Sequence, residues 1–227
     1  VAEAIDWQSS RSRLLAIIGN VGGAERAAEF SFIKYLGYPH SVSDTFLQRN
    51  INSNRSDSLL RVAAIQEHCA RSGKEQVVYI SMGFGNPYGD PWNAEIVAEA
   101  VQELYNLGIR HISLADTIGE ARAEDISTLF STLIPAFPDV EIGAHFHTRP
   151  DNWFENVKAA YEAGCNKFDS AMLGYGGCPM AKDALTGNLP TENLVAFCLE
   201  NNIQTHIQMD AFRECMAAAR ELFNGKS

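Results

Sequence analysis

Short apolar runs alternate with longer amphipathic ones along nearly the whole chain, and that alternation limits the possible folds more than any single motif. The runs are RLLAIIGN (13–20), SFIKYLGY (31–38), QVVYISMG (76–83), RHISLAD (110–116), VEIGAHFH (140–147) and KFDSAML (167–173). Several are nearly continuous in apolar or small residues, as strands buried on both faces of a parallel sheet should be. Between them, residues 56–72 carry Leu59, Val62, Ala63 and Cys69 at helical spacing and stop at Gly73. Residues 93–107 place Ile96, Val97, Val101, Leu104 and Tyr105 on one side before Gly108, and 122–136 and 152–163 repeat the design, the latter ending at Gly164. The order strand, helix, strand, helix predicts right-handed βαβ units with parallel strands, in a doubly wound sheet or a (β/α)8 barrel. The pattern alone does not choose between them.

With 227 residues, 46% hydrophobic and 20% charged, and no linker or low-complexity segment, a single globular domain is expected. A formal charge of -10 and the absence of a basic cluster argue against nucleic acid and anionic membrane as partners. No apolar stretch reaches the roughly 18 to 20 residues that span a bilayer, and VAEAIDWQSS lacks the basic and apolar regions of a signal peptide. A cytosolic setting is therefore expected. The five cysteines are odd in number and irregularly spaced with no CxxC pair, which suggests neither a disulfide framework nor a cysteine zinc site.

Polar residues and glycines collect just after the strand ends, in SMGFGNPYGD, ADTIGE, HFHTRPDN and GYGGCP. Both candidate architectures build their active sites at that end, so these four loops are expected to converge. No GxGxxG or GxxxxGK[ST] sequence opens a helix, which weakens dinucleotide and P-loop readings. His145 and His147 are two apart at a strand end, where a period of two puts both imidazoles on one face. That geometry suits two ligands on one metal ion, or simply two polar residues at a strand end. Asn188 can offer an amide oxygen to a hard divalent ion such as Mg2+ or Mn2+, although a Gly-Asn pair is also common in turns. Asp116 sits where the fourth strand ends, a place for an N-cap or Asx turn as well as for chemistry.

Cys69, Cys198 and Cys215 fall in helical patterns and Cys165 precedes a strand, so all four are expected to be small buried residues. Cys178 differs, being flanked by Gly176, Gly177 and Pro179 with no apolar pattern around it. An exposed thiol is an oxidation liability, which argues for a use as nucleophile or as proton donor.

Taken together, SVSDTFLQRNIN (41–52), YISMGFGNPYGDP (79–91), ISLADTIG (112–119), GAHFH (143–147), FDSAMLGYGGCPMA (168–181) and TGNLPTENL (186–194) resemble the 3-hydroxy-3-methylglutaryl-CoA lyase family. That family belongs to a wider group of metal-dependent (β/α)8 lyases and condensing enzymes. GGCP followed by GNxxTE is the specific part, since HxH is shared across the group. The resemblance implies retro-Claisen cleavage of a 3-hydroxy-3-methylglutaryl thioester, or a related 3-hydroxyacyl-CoA, to acetyl-CoA and acetoacetate. It further implies a homodimer with an acyl-CoA substrate and Mg2+, Mn2+ or another divalent ion. By motif position the metal ligands are His145, His147 and Asn188, the thiol that protonates the departing enolate is Cys178, and Asp116 is an acid/base or positioning residue. The glycines around Cys178 would let its loop close over substrate and reopen.

Two departures stand out. After HxH the chain has Thr148, Arg149 and Pro150, which alters the entry to the next helix, and nothing matches the Asp and Arg of the family's first strand. A (β/α)8 barrel needs about 250 residues, and the six runs fit its third to eighth strands. The expectation is thus a TIM barrel domain over residues 1–227 without its first two units, with 201–227 as a post-barrel extension ending in a helix. Two other readings stay open: an acetyl-CoA-dependent condensing enzyme of the same group, or a catalytically defective homologue that acts as a binding module.

Overall fold

The computed structural model describes residues 6–7, 10–177 and 186–224. Six parallel strands form one sheet: β1 (Leu14–Ile17), β2 (Ile33–Ser41), β3 (Glu75–Ser81), β4 (His111–Asp116), β5 (Glu141–Thr148) and β6 (Phe168–Asp169). Helices α1 (Val21–Ala28), α2 (Asp44–Ile51), α3 (Arg55–Ser72), α4 (Ala94–Asn106), α5 (Ala123–Ala136) and α6 (Trp153–Glu162) fill the connections. A two-residue strand β7 (Gly187–Asn188), α7 (Thr191–Glu200) and α8 (Met209–Asn224) follow.

Each strand pairs with its predecessor, from β1 through β6, and the order never reverses. A doubly wound sheet would reverse at a switch point, whereas a singly wound one curls the same way throughout and keeps its helices on one side. The fold is therefore an arc of a (β/α) barrel, which settles what periodicity left open. The helix ends follow local chemistry: Asn54 and Asn93 accept the N–H groups of Asp57 and Ile96 to start α3 and α4, and Gly73 ends α3 at φ 66. The short helices α1 and α2 carry no long apolar stripe to mark them, but begin in the same way at Asn20 and Ser43.

Strand parity corrects the expectation of two-sided burial. Leu36, Tyr38, Val78, Ile80, Ile112, Leu114, Ile142 and Phe146 face the helices and join the main core with Val62, Ile65, Val101, Leu104, Ile126 and Phe130. The alternate residues form a largely polar concave face. Low on it, His111 bridges Glu75 and Glu141 at 2.6 and 2.7 Å, and Lys34 pairs with Glu75 at 2.7 Å.

The expected sixth strand, 167–173, shrinks to two residues. Ala171 bridges to Pro190, and Leu173 turns into the left-handed region at φ 58 while its N–H donates to the Glu192 carboxylate at 3.0 Å. The chain thereby leaves the sheet and crosses its end. The cysteines also need a correction: Cys69 and Cys165 are buried as expected, Cys198 is half-buried, and Cys215 is exposed at an open groove between α8 and the turn after β6. Among the described residues no helix is long and apolar enough to cross a membrane.

Candidate active site

At the C-terminal end of β5, His145 and His147 both point to the concave side, with ring centroids 5.4 Å apart. Asn188 arrives from a distant segment and is placed by backbone pairing, because β7 runs antiparallel to β5 with Asn188 directly opposite His147. The structure thus brings together the three residues that the sequence offers as ligands.

The orientation of each is fixed from behind. His147 is buried, and its Nδ1 lies 2.8 Å from the Thr117 carbonyl, so Nδ1 carries the proton and the Nε2 lone pair is left for a cation beside the Asn188 side chain. Burial, followed by the neighbouring His145 ring, holds the His147 imidazole below its usual pKa. It is therefore neutral, as a ligand must be. His145 places Nδ1 3.2 Å from Asp169 Oδ2, which leaves its Nε2 free. The Asn188 amide donates to the Tyr175 carbonyl at 2.8 Å, which leaves its oxygen available. Two imidazoles and an amide oxygen, each with its other polar atom tied down, fit one face of a divalent ion with nitrogen and oxygen donors. Among the described residues no cluster of three or more His, Cys, Asp or Glu is arranged for a metal, so these three donors include no carboxylate.

Asp116 occupies a different place. It is buried and shares the strand face of Ile112 and Leu114, and its carboxylate accepts N–H groups from Gly119, Glu120 and Ala121 at 2.9 to 3.1 Å. Burial pushes its pKa up to about 6, against the pull of those N–H groups. Its visible action is to fold the 116–121 loop, whose Thr117 carbonyl fixes His147. Cys178 lies outside the described residues. The stem that leads to it is described through Gly177, and two of its glycines serve geometry. Gly174 and Gly176 have φ of 65 and 87, and a Cβ on them would sit 2.9 and 2.8 Å from Asn188 atoms.

Sequence reasoning missed Asp169, Tyr79 and Ser113. Asp169 also takes a hydrogen bond from Tyr79 and lies 3.4 Å from Ser113 Oγ, and Tyr79 meets the edge of His145 at a centroid distance of 5.5 Å. The signal was parity: these residues occupy the same alternate positions on β3, β4 and β6 as His145 does on β5. The Thr148–Arg149–Pro150 departure also finds its place. Asn152 does not cap α6 but accepts the Arg149 N–H, and Arg149 reaches the Gly119 carbonyl at 2.9 Å. A cavity of about 250 Å³ opens beside Asn188, lined by Thr148, Arg149, Trp153, Leu173 and Asn193 among others.

A family model described as HMGL-like matches residues 2–218. The chain is similar to a hydroxymethylglutaryl-CoA lyase of Bacillus subtilis, 30% identical over 210 residues, covering 92% of this chain and 69% of that protein. It is also similar to a 3-hydroxy-3-isohexenylglutaryl-CoA/hydroxy-methylglutaryl-CoA lyase of Pseudomonas aeruginosa, 33% identical over 195 residues, covering 86% of this chain and 64% of that protein. Among solved structures, an Acinetobacter baumannii HMG-CoA lyase in complex with coenzyme A and 3-methylmalate superposes with a TM-score of 0.83 at 30% identity. That match covers 94% of this chain and 70% of the other. The chain thus spans about two thirds of the length of the relatives it matches.

Proposed function

Because the chain belongs to the HMGL-like family, we propose that it carries the metal-binding and proton-donating side of a carbon–carbon lyase acting on 3-hydroxy-3-methylglutaryl-CoA or a close 3-hydroxyacyl-CoA. The observation that carries this reading is the pairing of β7 with β5, which sets Asn188 against His147 although 41 positions separate them in the chain. The coenzyme A held by the Acinetobacter baumannii neighbour supports a thioester substrate. The ion proposed is Mg2+ or Mn2+, with the Asn188 amide oxygen as the hard donor of the set, and a cytosolic homodimer completes the proposal.

His145, His147 and Asn188 would hold the ion. When bound, it supplies Lewis-acid stabilisation of the substrate alkoxide. The remaining work falls to side chains. Asp169 and the Thr117 carbonyl keep the two imidazoles turned with Nε2 outward. Asp116 acts through Thr117, which favours its positioning role over a direct acid/base one. The substrate hydroxyl gives its proton to solvent to become the alkoxide; as the carbon–carbon bond breaks, its electron pair passes to the acetyl-CoA fragment as an enolate, and the alkoxide carbon becomes the acetoacetate ketone. By motif position Cys178 delivers the proton to that enolate carbon.

Purified protein given the thioester and Mg2+ should release acetyl-CoA, and Cys178→Ala should lower the rate by about 100-fold or more, the scale of a lost proton donor. Consumption of acetyl-CoA in the presence of a 2-oxo acid would point instead to a condensing enzyme. Absence of both reactions together with absence of divalent-ion binding would leave the binding-module reading.

A further inference from the structure

Helix α8 is poorly anchored by the core. Of its described side chains only Met216 is buried, and the helix packs on the 3-10 turn Met172–Gly174 that follows β6. Its firmest aromatic contact lies one residue further on. Phe223 stacks on Tyr175, with ring centroids 4.1 Å apart and planes 28° from parallel. Leu222 and Ala219 line the same apolar groove.

Tyr175 is also the residue whose carbonyl holds the Asn188 amide. Asn188 Nδ2 donates to it at 2.8 Å, and the Asn188 backbone N–H donates to the next carbonyl, that of Gly176, at 3.2 Å. The stem and β7 are pressed so closely that any side chain at 176 would strike Asn188 Nδ2. An asparagine amide can rotate by half a turn and exchange its oxygen for its NH2 group. The Tyr175 carbonyl, an acceptor, selects the orientation that leaves the oxygen for a cation.

We propose that Phe223 is a positioning residue for the Asn188 oxygen: its ring fixes Tyr175, the Tyr175 carbonyl fixes the Asn188 amide, and α8 thereby tunes the affinity of the His145–His147–Asn188 face for a divalent ion. The inference rests on Asn188 being a ligand. It assigns α8 a role in the site although the helix contributes no ligand.

The test is a Mn2+ titration of the protein, with the free ion followed by electron paramagnetic resonance. Asn188→Ala should weaken binding most. Phe223→Ala should weaken it by about tenfold, the low end for a residue that acts through another, and Phe223→Tyr should restore it. Leu222→Ala, which trims the same groove without touching the Tyr175 ring stack, should bind like the parent. If Phe223→Ala lowers the melting temperature, Phe223→Leu keeps the apolar bulk without the ring face and should still bind more weakly. Parent-like binding by the Phe223 variants beside a weakened Asn188→Ala would overturn the inference alone. Equal losses in Phe223→Ala and Leu222→Ala would do the same, since general loosening of α8 would then suffice. Parent-like binding by Asn188→Ala would overturn both the ligand reading and the inference.

Discussion

Two histidines near strand ends show how one residue type is put to opposite uses. His40 near the end of β2 and His147 near the end of β5 are both buried, and each has Nδ1 2.8 Å from an oxygen, Ser58 Oγ for one and the Thr117 carbonyl for the other. Burial lowers the pKa of both imidazoles. The difference is parity. His40 faces the helices, sealed in a network where Ser58 also meets the Tyr38 hydroxyl at 3.3 Å. Its Nε2 has no hydrogen-bond partner among the described residues. His147 faces the concave side, where Nε2 meets Asn188 from a separate strand. Burial keeps both rings neutral, but the strand face decides whether the free nitrogen meets apolar packing or a site.

The sharpest break of this comparison is to remove each ring. His147→Ala should lower Mn2+ affinity and lyase turnover by more than about 100-fold, beyond the 10- to 100-fold cost typical of an outer-shell partner. Its stability should fall as well, by about 1 to 3 kcal/mol, because the buried Thr117 carbonyl loses its partner. His40→Ala should cost stability alone: turnover per folded molecule close to parental, with about 1 to 3 kcal/mol lost as Ser58 loses a buried partner. Mn2+ titration and urea unfolding of the two variants decide the matter. Loss of ion binding in His40→Ala would show that the two faces are coupled.

Acid should separate the two regions next. Burial first, and the Arg55 charge second, push the His40 pKa down from 6.5 to about 4. The unfolded chain therefore binds a proton between these values that the folded chain refuses. Stability is fully present above pH 6.5 and falls as pH drops toward 4, by about 1.4 kcal/mol per unit and about 3 kcal/mol in all. His40→Gln should remove that slope from urea unfolding between pH 6.5 and 4.5, even though other groups keep their own. An unchanged slope would mean that His40 is hydrated or charged in the fold.

The same contrast shows what the sequence made legible. Alternating runs marked the first five strands and the helices α3 to α6, while the run 167–173 keeps only two strand residues, and spacing alone put His145 and His147 on one face. Asn188 was suggested by its motif, but its meeting with His147 depends on an antiparallel pair two residues long, too short to leave a periodic signal. His40 carries no signal in the sequence because it falls between SFIKYLGY (31–38) and SVSDTFLQRNIN (41–52), where a polar residue after an apolar run resembles a loop. Asp169 lies inside KFDSAML (167–173), which reads as a strand throughout and so does not set its carboxylate apart. The chain leaves the sheet there because Leu173 adopts a left-handed conformation held by Glu192, a contact between residues 19 apart. The glycines of GYGGCP suggest a loop that opens and closes, and Gly174 and Gly176 serve in addition for their positive φ and close approach to Asn188.

The smallest effect concerns how firmly each metal-side imidazole is held. His147 is fixed by a backbone carbonyl at 2.8 Å, which no side-chain substitution removes, while His145 depends on the Asp169 carboxylate at 3.2 Å. That carboxylate is itself shared with Tyr79 and lies at the long distance of 3.4 Å from Ser113. Asp169→Asn keeps the shape but weakens the acceptor, and its amide can turn an NH2 group toward His145 Nδ1 and favour the wrong tautomer. Mn2+ affinity should fall by about tenfold, the low end for an outer-shell partner because the parental contact is already long. Stability should move by no more than about 0.5 kcal/mol, since Asp169 is only half-buried. An Asp169→Asn effect as large as that of His147→Ala would mean that the carboxylate itself binds the ion. Asp169 would then count among the ligands and supply the carboxylate missing from the three donors.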